Sequence, residues 1–183
     1  MDRSYSVDHE KLKTAYHETC HTVMALICGL KIRRVSIKGT DKYRGVMSTE
    51  PPERQITNPQ EALREIRISL SGFVGEMLVS DKFTISSNHP DLTCAMELVD
   101  QLLEYDHEFR KSVEDIAAKT PGTLNFIENH LIRAYIDGKI RWCYKKLESF
   151  KPVIKQIAEE LHSKEELTGD EVSVFFNSFT PSN

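Results

Sequence analysis

The sequence predicts a mainly α-helical fold with a small β-hairpin or sheet, and three observations predict it. Apolar residues recur at helical spacing over most of the 183 residues. Two short stretches instead alternate apolar residues with charged or polar ones. The breaks between periodic segments fall at proline or glycine, one lacking a backbone donor and the other too free to hold a helix.

The first element is a helix from about Asp8 to Cys28, because Leu12, Tyr16, Cys20, Val23, Ile27 and Leu30 share one face, and Gly29 ends it. Two β-leaning stretches follow, IRRVSIKG, in which Val35 and Ile37 alternate with charge, and RGVMSTEP. The turn-like GTDKY joins them into a short hairpin. Asn58 and Pro59 open a long helix as cap and first residue, with Ala62, Ile66, Leu70, Phe73, Val74 and Met77 as its apolar positions. The loop DKFTISSNHPD leads into a helix that starts at Asp91, just after Pro90. From Val113 onward the pattern stays helical, broken at Pro121-Gly122, Lys151-Pro152 and Thr168-Gly169. The acids Glu97, Asp100, Glu104 and Asp106 read as a solvated helix face. Nothing in this pattern divides the chain. It reads as one domain, 1–183, with 1–106 holding the functional half and 107–183 a C-terminal helical bundle.

Charge and hydropathy exclude several classes. A net charge of -4, with acids and bases interleaved, leaves no basic stripe to track a phosphate backbone, so nucleic acid is not an expected partner. The longest apolar run, VMALICGL from Val23, is far shorter than the roughly 20 residues of a membrane span. The N-terminal MDRSYSVDHEKLK has no apolar signal core, which points to the cytoplasm. The four cysteines form no CxxC pair, as expected of reduced thiols there.

The chemistry sits on the first helix, in HETCH. His17 and His21 are one turn apart, so both imidazoles can converge on one ion. Glu18 projects beside that ion, where a carboxylate can take a proton from water activated by zinc. Chance would produce HExxH in such a chain with a probability on the order of a few per cent. Here the motif falls inside a strongly periodic helix, its histidines flanking the apolar stripe. Catalytic zinc takes three protein ligands, so a third must come from downstream. The compact HExxHxxGxxH extension is absent. The best stretch is SSNHPDL, in which Asp91 opens a helix, although an acid there also suits the helix dipole with no metal at all.

In motif order and spacing, TAYHETCHTVMALICGLKIRRVSIKG, RGVMSTEPPE and LSGFVGEMLVSDKFTISSNHPDLTCAMELV resemble the peptidase domain of FtsH-type AAA+ zinc metalloproteases. The closing ESFKPVIKQIAEELHSKEELTGDEV is similar too, so the resemblance covers nearly all of the chain, with a poor match from about His107 to Thr123. It implies a zinc (Zn2+) site of His17, His21 and Asp91, with Glu18 as general base, and a free sheet edge at RRVSIKG along which an extended peptide could lie. Glu76 matches a glutamate of the family motif and is expected to orient a histidine ligand or to act as a surface acid.

Two departures stand out. Thr19 and Cys20 replace the usual alanine and glycine; Cys20 lies in the apolar stripe and is expected in the core. The ligand loop ends in His-Pro-Asp, which makes His89 a rival third ligand, a group that supports a ligand from behind, a substrate contact or an exposed loop residue. No GxxxxGK[ST] loop occurs, and the family's ATPase module and membrane anchor have no counterpart, so this is either an excised peptidase domain or a stand-alone relative. The expectation is a zinc metalloendopeptidase acting on unfolded or flexible polypeptide, with an AAA+ ATPase as partner and a ring of six compatible with the family. Two alternatives are a catalytically silent zinc-binding regulator of such an ATPase-type protease and a helical interaction module without metal.

Overall fold

The computed structural model describes residues 3–39, 45–50, 56–79 and 89–179. Residues 40–43 of the turn expected over 39–43 and residues 81–88 of the loop expected over 81–91 lie outside the described residues. The described elements are helix α1 (Arg3–Ile27), strands β1 (Lys31–Ser36) and β2 (Val46–Glu50), helices α2 (Pro59–Val79), α3 (Pro90–Tyr105), α4 (His107–Lys119), α5 (His130–Glu148) and α6 (Lys151–Lys164), strand β3 (Glu166–Thr168) and helix α7 (Gly169–Ser178). This is the mainly helical fold with a small sheet that periodicity predicts.

Helix α1 is the spine. It packs against α2 on one side and α6 on another, and β1 also lies against it. Gly29 ends it in the left-handed region at φ 77°, with the Leu30 N–H donating to the Ala25 carbonyl. Asn58 caps α2 as expected, its Oδ1 accepting the Glu61 N–H at 3.0 Å. Ile66, Leu70, Phe73 and Val74 of α2 are fully buried in one continuous core with Val23 and Met24 of α1 and Ile154, Ile157 and Leu161 of α6. Burying each such side chain stabilises the fold by about 1.5–3 kcal/mol, which is what holds α1 in place.

Two glycines let α1 and α2 cross closely. A Cβ at Gly75 would lie 2.5 Å from the Tyr16 carbonyl oxygen, and one at Gly72 would lie 2.5 Å from His21 Nε2. Cys20 is fully buried, as its place in the apolar stripe predicts.

Three features depart from the sequence reading. Asp106 is not a face acid: its Oδ1 accepts the Phe109 N–H at 2.9 Å and starts α4, so the chain breaks between Tyr105 and His107 without proline or glycine. The strand β3 is new; three residues are too few for an alternation signal, and burial of Leu167 fixes it. The third departure corrects the free edge expected at Val35 to Lys38. The sheet order is β2-β1-β3, so β1 is central, with Val35 opposite Met47 on one side and Leu167 on the other. The Ile37 N–H is also taken, by the Glu165 carbonyl at 2.8 Å. Beside the first half of β1, the start of α7 closes in until a Cβ at Gly169 would lie 1.8 Å from the Ile32 oxygen. Among the described strands, the unpaired long edge belongs to β2.

Candidate metal centre

Helix α1 carries His17 and His21 against Gly72 of α2 and Glu18 beside Gly45, and the first turn of α3 brings Asp91 to the two histidines. The outer ring nitrogens set the tautomers. His21 Nδ1 lies 2.7 Å from the Ile68 carbonyl, which can only accept, so Nδ1 holds the proton. His17 Nδ1 lies 3.1 Å from Glu76 Oε1 and donates to that carboxylate. Both Nε2 lone pairs then point inward, 3.0 Å apart. Asp91 Oδ2 completes the triangle at 3.0 Å from His17 Nε2 and 3.2 Å from His21 Nε2, and it is a buried atom with no hydrogen-bond partner.

Three acceptors facing one another repel unless a proton or a metal ion joins them. Two imidazole nitrogens and one carboxylate oxygen form a donor set suited to zinc. The residues therefore fit the ion that their types suggest.

The charges agree with this reading. Burial pushes the Asp91 carboxyl up, but His17 and His21 outweigh it and hold the group below the usual carboxylate range. At Glu76, burial is likewise outweighed, by His17, His89 and Lys13, whose Nζ lies 2.7 Å from Glu76 Oε2. Glu18 differs. It is only 7% exposed and burial raises its pKa, although the charges of His21 and His17 oppose the rise. A carboxylate made more basic in this way is a better proton acceptor. A Cβ at Gly45 would lie 2.6 Å from Glu18 Oε1, so the residue leading into β2 runs directly past this carboxylate.

Burial also disfavours charge at His17, yet the Asp91 and Glu76 carboxylates overcome it and lift the pKa to about 9. In the metal-free protein a proton thus sits where the three acceptors meet. Because the folded pKa is above the ordinary 6.5, this proton stabilises the metal-free fold fully below about pH 6.5, and the contribution is lost as pH rises through about 9. A zinc ion bound there would displace it. Calorimetric titration at pH 7.5 in two buffers of different protonation enthalpy should show about one proton released per zinc; a buffer-independent heat would mean His17 is neutral before binding.

All four residues of the expected core site, His17, Glu18, His21 and Asp91, lie on the facing elements. Glu76 pairs with His17, and His89 lies behind Asp91, its Nδ1 accepting the Asp91 N–H at 3.3 Å. The sequence reading missed Gly72, Ile68 and Lys13. Gly72 left a signal, because glycine inside a helix costs about 1 kcal/mol relative to alanine and calls for a reason such as close approach. The Ile68 carbonyl left none, since every residue has one.

A HExxH helix facing a helix-borne carboxylate defines the class of metal-dependent peptidases. The chain belongs to Peptidase family M41, whose model matches residues 5–175. It is 25% identical over 194 residues to the ATP-dependent zinc metalloprotease FtsH 1 of Alkaliphilus metalliredigens (strain QYMF), an alignment that covers 97% of this chain and 31% of that protein. The chain therefore spans about a third of the length of this relative. Among the described residues, no helix is long and apolar enough to cross a membrane.

Proposed function

We propose that this chain is a zinc-dependent metalloendopeptidase that hydrolyses unfolded or flexible polypeptides. The observation that carries this reading is the inward convergence of His17 Nε2, His21 Nε2 and Asp91 Oδ2 on one point. These three residues would hold the zinc. When bound, zinc activates a water and polarises the scissile carbonyl as a Lewis acid.

The protein's own groups do the rest. Glu18 accepts the proton of the attacking water and returns it to the leaving amine. Glu76 and the Ile68 carbonyl fix the two imidazoles through their Nδ1 protons, so the Nε2 lone pairs keep their direction. The outer edge of β2 offers backbone groups for an extended peptide to pair with, and Gly45 at its entry touches Glu18, so a peptide on that edge would run past the base. An extended chain can pair in this way, whereas a stable folded domain cannot.

The relative is ATP-dependent by name. An AAA+ ATPase that delivers unfolded substrate is the partner we propose for folded targets, with assembly into a ring as a further part of the reading. We read 1–183 as a single metallopeptidase domain in which 107–183 braces 1–106, supported by the packing of α5 on α2 and of α6 on α1.

Metal analysis is the direct test. About one zinc per chain is expected, lost in His17→Ala, His21→Ala and Asp91→Ala, because two remaining ligands hold zinc far more weakly than three. Stoichiometric zinc in all three variants would end the reading. Zinc without any cleavage of an unfolded protein would favour the silent regulator instead.

A further inference from the structure

We propose that His89 is a positioning residue for the third metal ligand: by accepting the Asp91 N–H it fixes the first turn of α3 and, with it, the Asp91 carboxylate. The inference rests on the metallopeptidase reading and decides a role that its sequence position left open among ligand, ligand support, substrate contact and exposed loop residue.

The geometry decides among these. His89 is the N-cap of α3, with φ -72° and ψ 128°, and Pro90 follows at the first helical position. Proline brings no N–H, so the Asp91 N–H is the first unpaired donor of the helix. His89 Nδ1 accepts it at 3.3 Å, while the His89 carbonyl accepts both the Thr93 N–H at 3.0 Å and the Thr93 hydroxyl at 3.2 Å. One residue thus gathers three donors from the turn that carries the ligand.

The ring is itself held. Its centroid lies 4.4 Å from that of Phe73, a fully buried residue of α2. Since Nδ1 accepts, the neutral ring carries its proton on Nε2, which faces Glu76 Oε1 at 3.6 Å, too long for a hydrogen bond but a favourable polar approach. Glu76 is the carboxylate that orients His17. His89 therefore ties the start of α3 to the same stretch of α2 that positions the first ligand.

The same geometry argues against His89 as a ligand. Nδ1 lies 3.7 Å from Asp91 Oδ2, but its lone pair is already given to a backbone N–H. A cation shared by His89, Glu76 and His17 Nδ1 would have to strip the His17 proton and displace the Lys13 ammonium from Glu76.

The test measures zinc affinity by competition with a chromophoric chelator in the full chain, using three variants whose folding is checked by circular dichroism. His89→Ala removes cap and ring. His89→Phe keeps a ring against Phe73 but has no acceptor, and it covers the case in which the alanine variant loses structure. His89→Asn keeps an acceptor suited to an N-cap and loses the ring. Loss of an outer partner typically costs 10- to 100-fold in metal affinity. We expect His89→Ala and His89→Phe to bind zinc at least about tenfold more weakly, and His89→Asn to recover most of the loss. Wild-type affinity in His89→Phe, or no recovery in His89→Asn, overturns the proposal. Loss as complete as in Asp91→Ala would make His89 a ligand and overturn it too. If the wild type holds no zinc, the metallopeptidase reading itself fails, and the two failures are distinguished.

Discussion

Replacing Glu18 with glutamine should leave zinc bound and lower cleavage of casein by at least about a hundredfold, the low end of what a positioned acid-base group contributes. Glutamine keeps the size and helix propensity of glutamate, so the packing of this buried side chain against Gly45 is retained. What it loses is the basic carboxylate that accepts the proton. Since Glu18 is not one of the three converging atoms, zinc content should match the wild type. The substrate must be unfolded, because only an extended chain can lie along the β2 edge; casein should be cut and a stable folded protein spared. Equal cleavage by wild type and variant would assign the activity to another base or to a contaminant.

Gly72→Ala should abolish zinc binding although it alters no ligand. The added Cβ would stand 2.5 Å from His21 Nε2, 2.6 Å from His17 Cε1 and 2.7 Å from His17 Nε2, distances that real Cβ atoms do not tolerate. The rings cannot simply rotate away. His21 is anchored by its Nδ1 to the Ile68 carbonyl and His17 by its Nδ1 to Glu76, and both anchors would have to break. Alanine favours a helix by about 1 kcal/mol over glycine, so α2 by itself gains from the change. Zinc should fall below about a tenth of the wild-type content, with helicity retained by circular dichroism, since an obstructed site holds metal through fewer ligands. Wild-type zinc content in this variant would show that α1 and α2 do not approach so closely at the site.

Much of this was legible in the chain. The spacing of His17, Glu18 and His21 is a local property, because one turn of helix fixes which residues share a face. The same periodicity gave the helical class of the fold and the start of α2 at Asn58. The proposed third ligand was legible only through resemblance, since Asp91 also reads as an ordinary acid at a helix start. Its position against both Nε2 atoms, and the commitment of His89 Nδ1 to the Asp91 backbone, depend on how α3 docks over α1 and α2.

By itself, then, the sequence determined the helix with two imidazoles one turn apart and a carboxylate beside the first, because those relations are set within a few residues. Tertiary structure alone decided that β1 lies at the centre of the sheet, since its second partner, Glu166 to Thr168, arrives from the far end of the chain after α6. It also decided that Gly72 must be glycine. A glycine within α2 signals some close approach, but the space it leaves empty is defined by side chains of another helix, which α2 alone does not name.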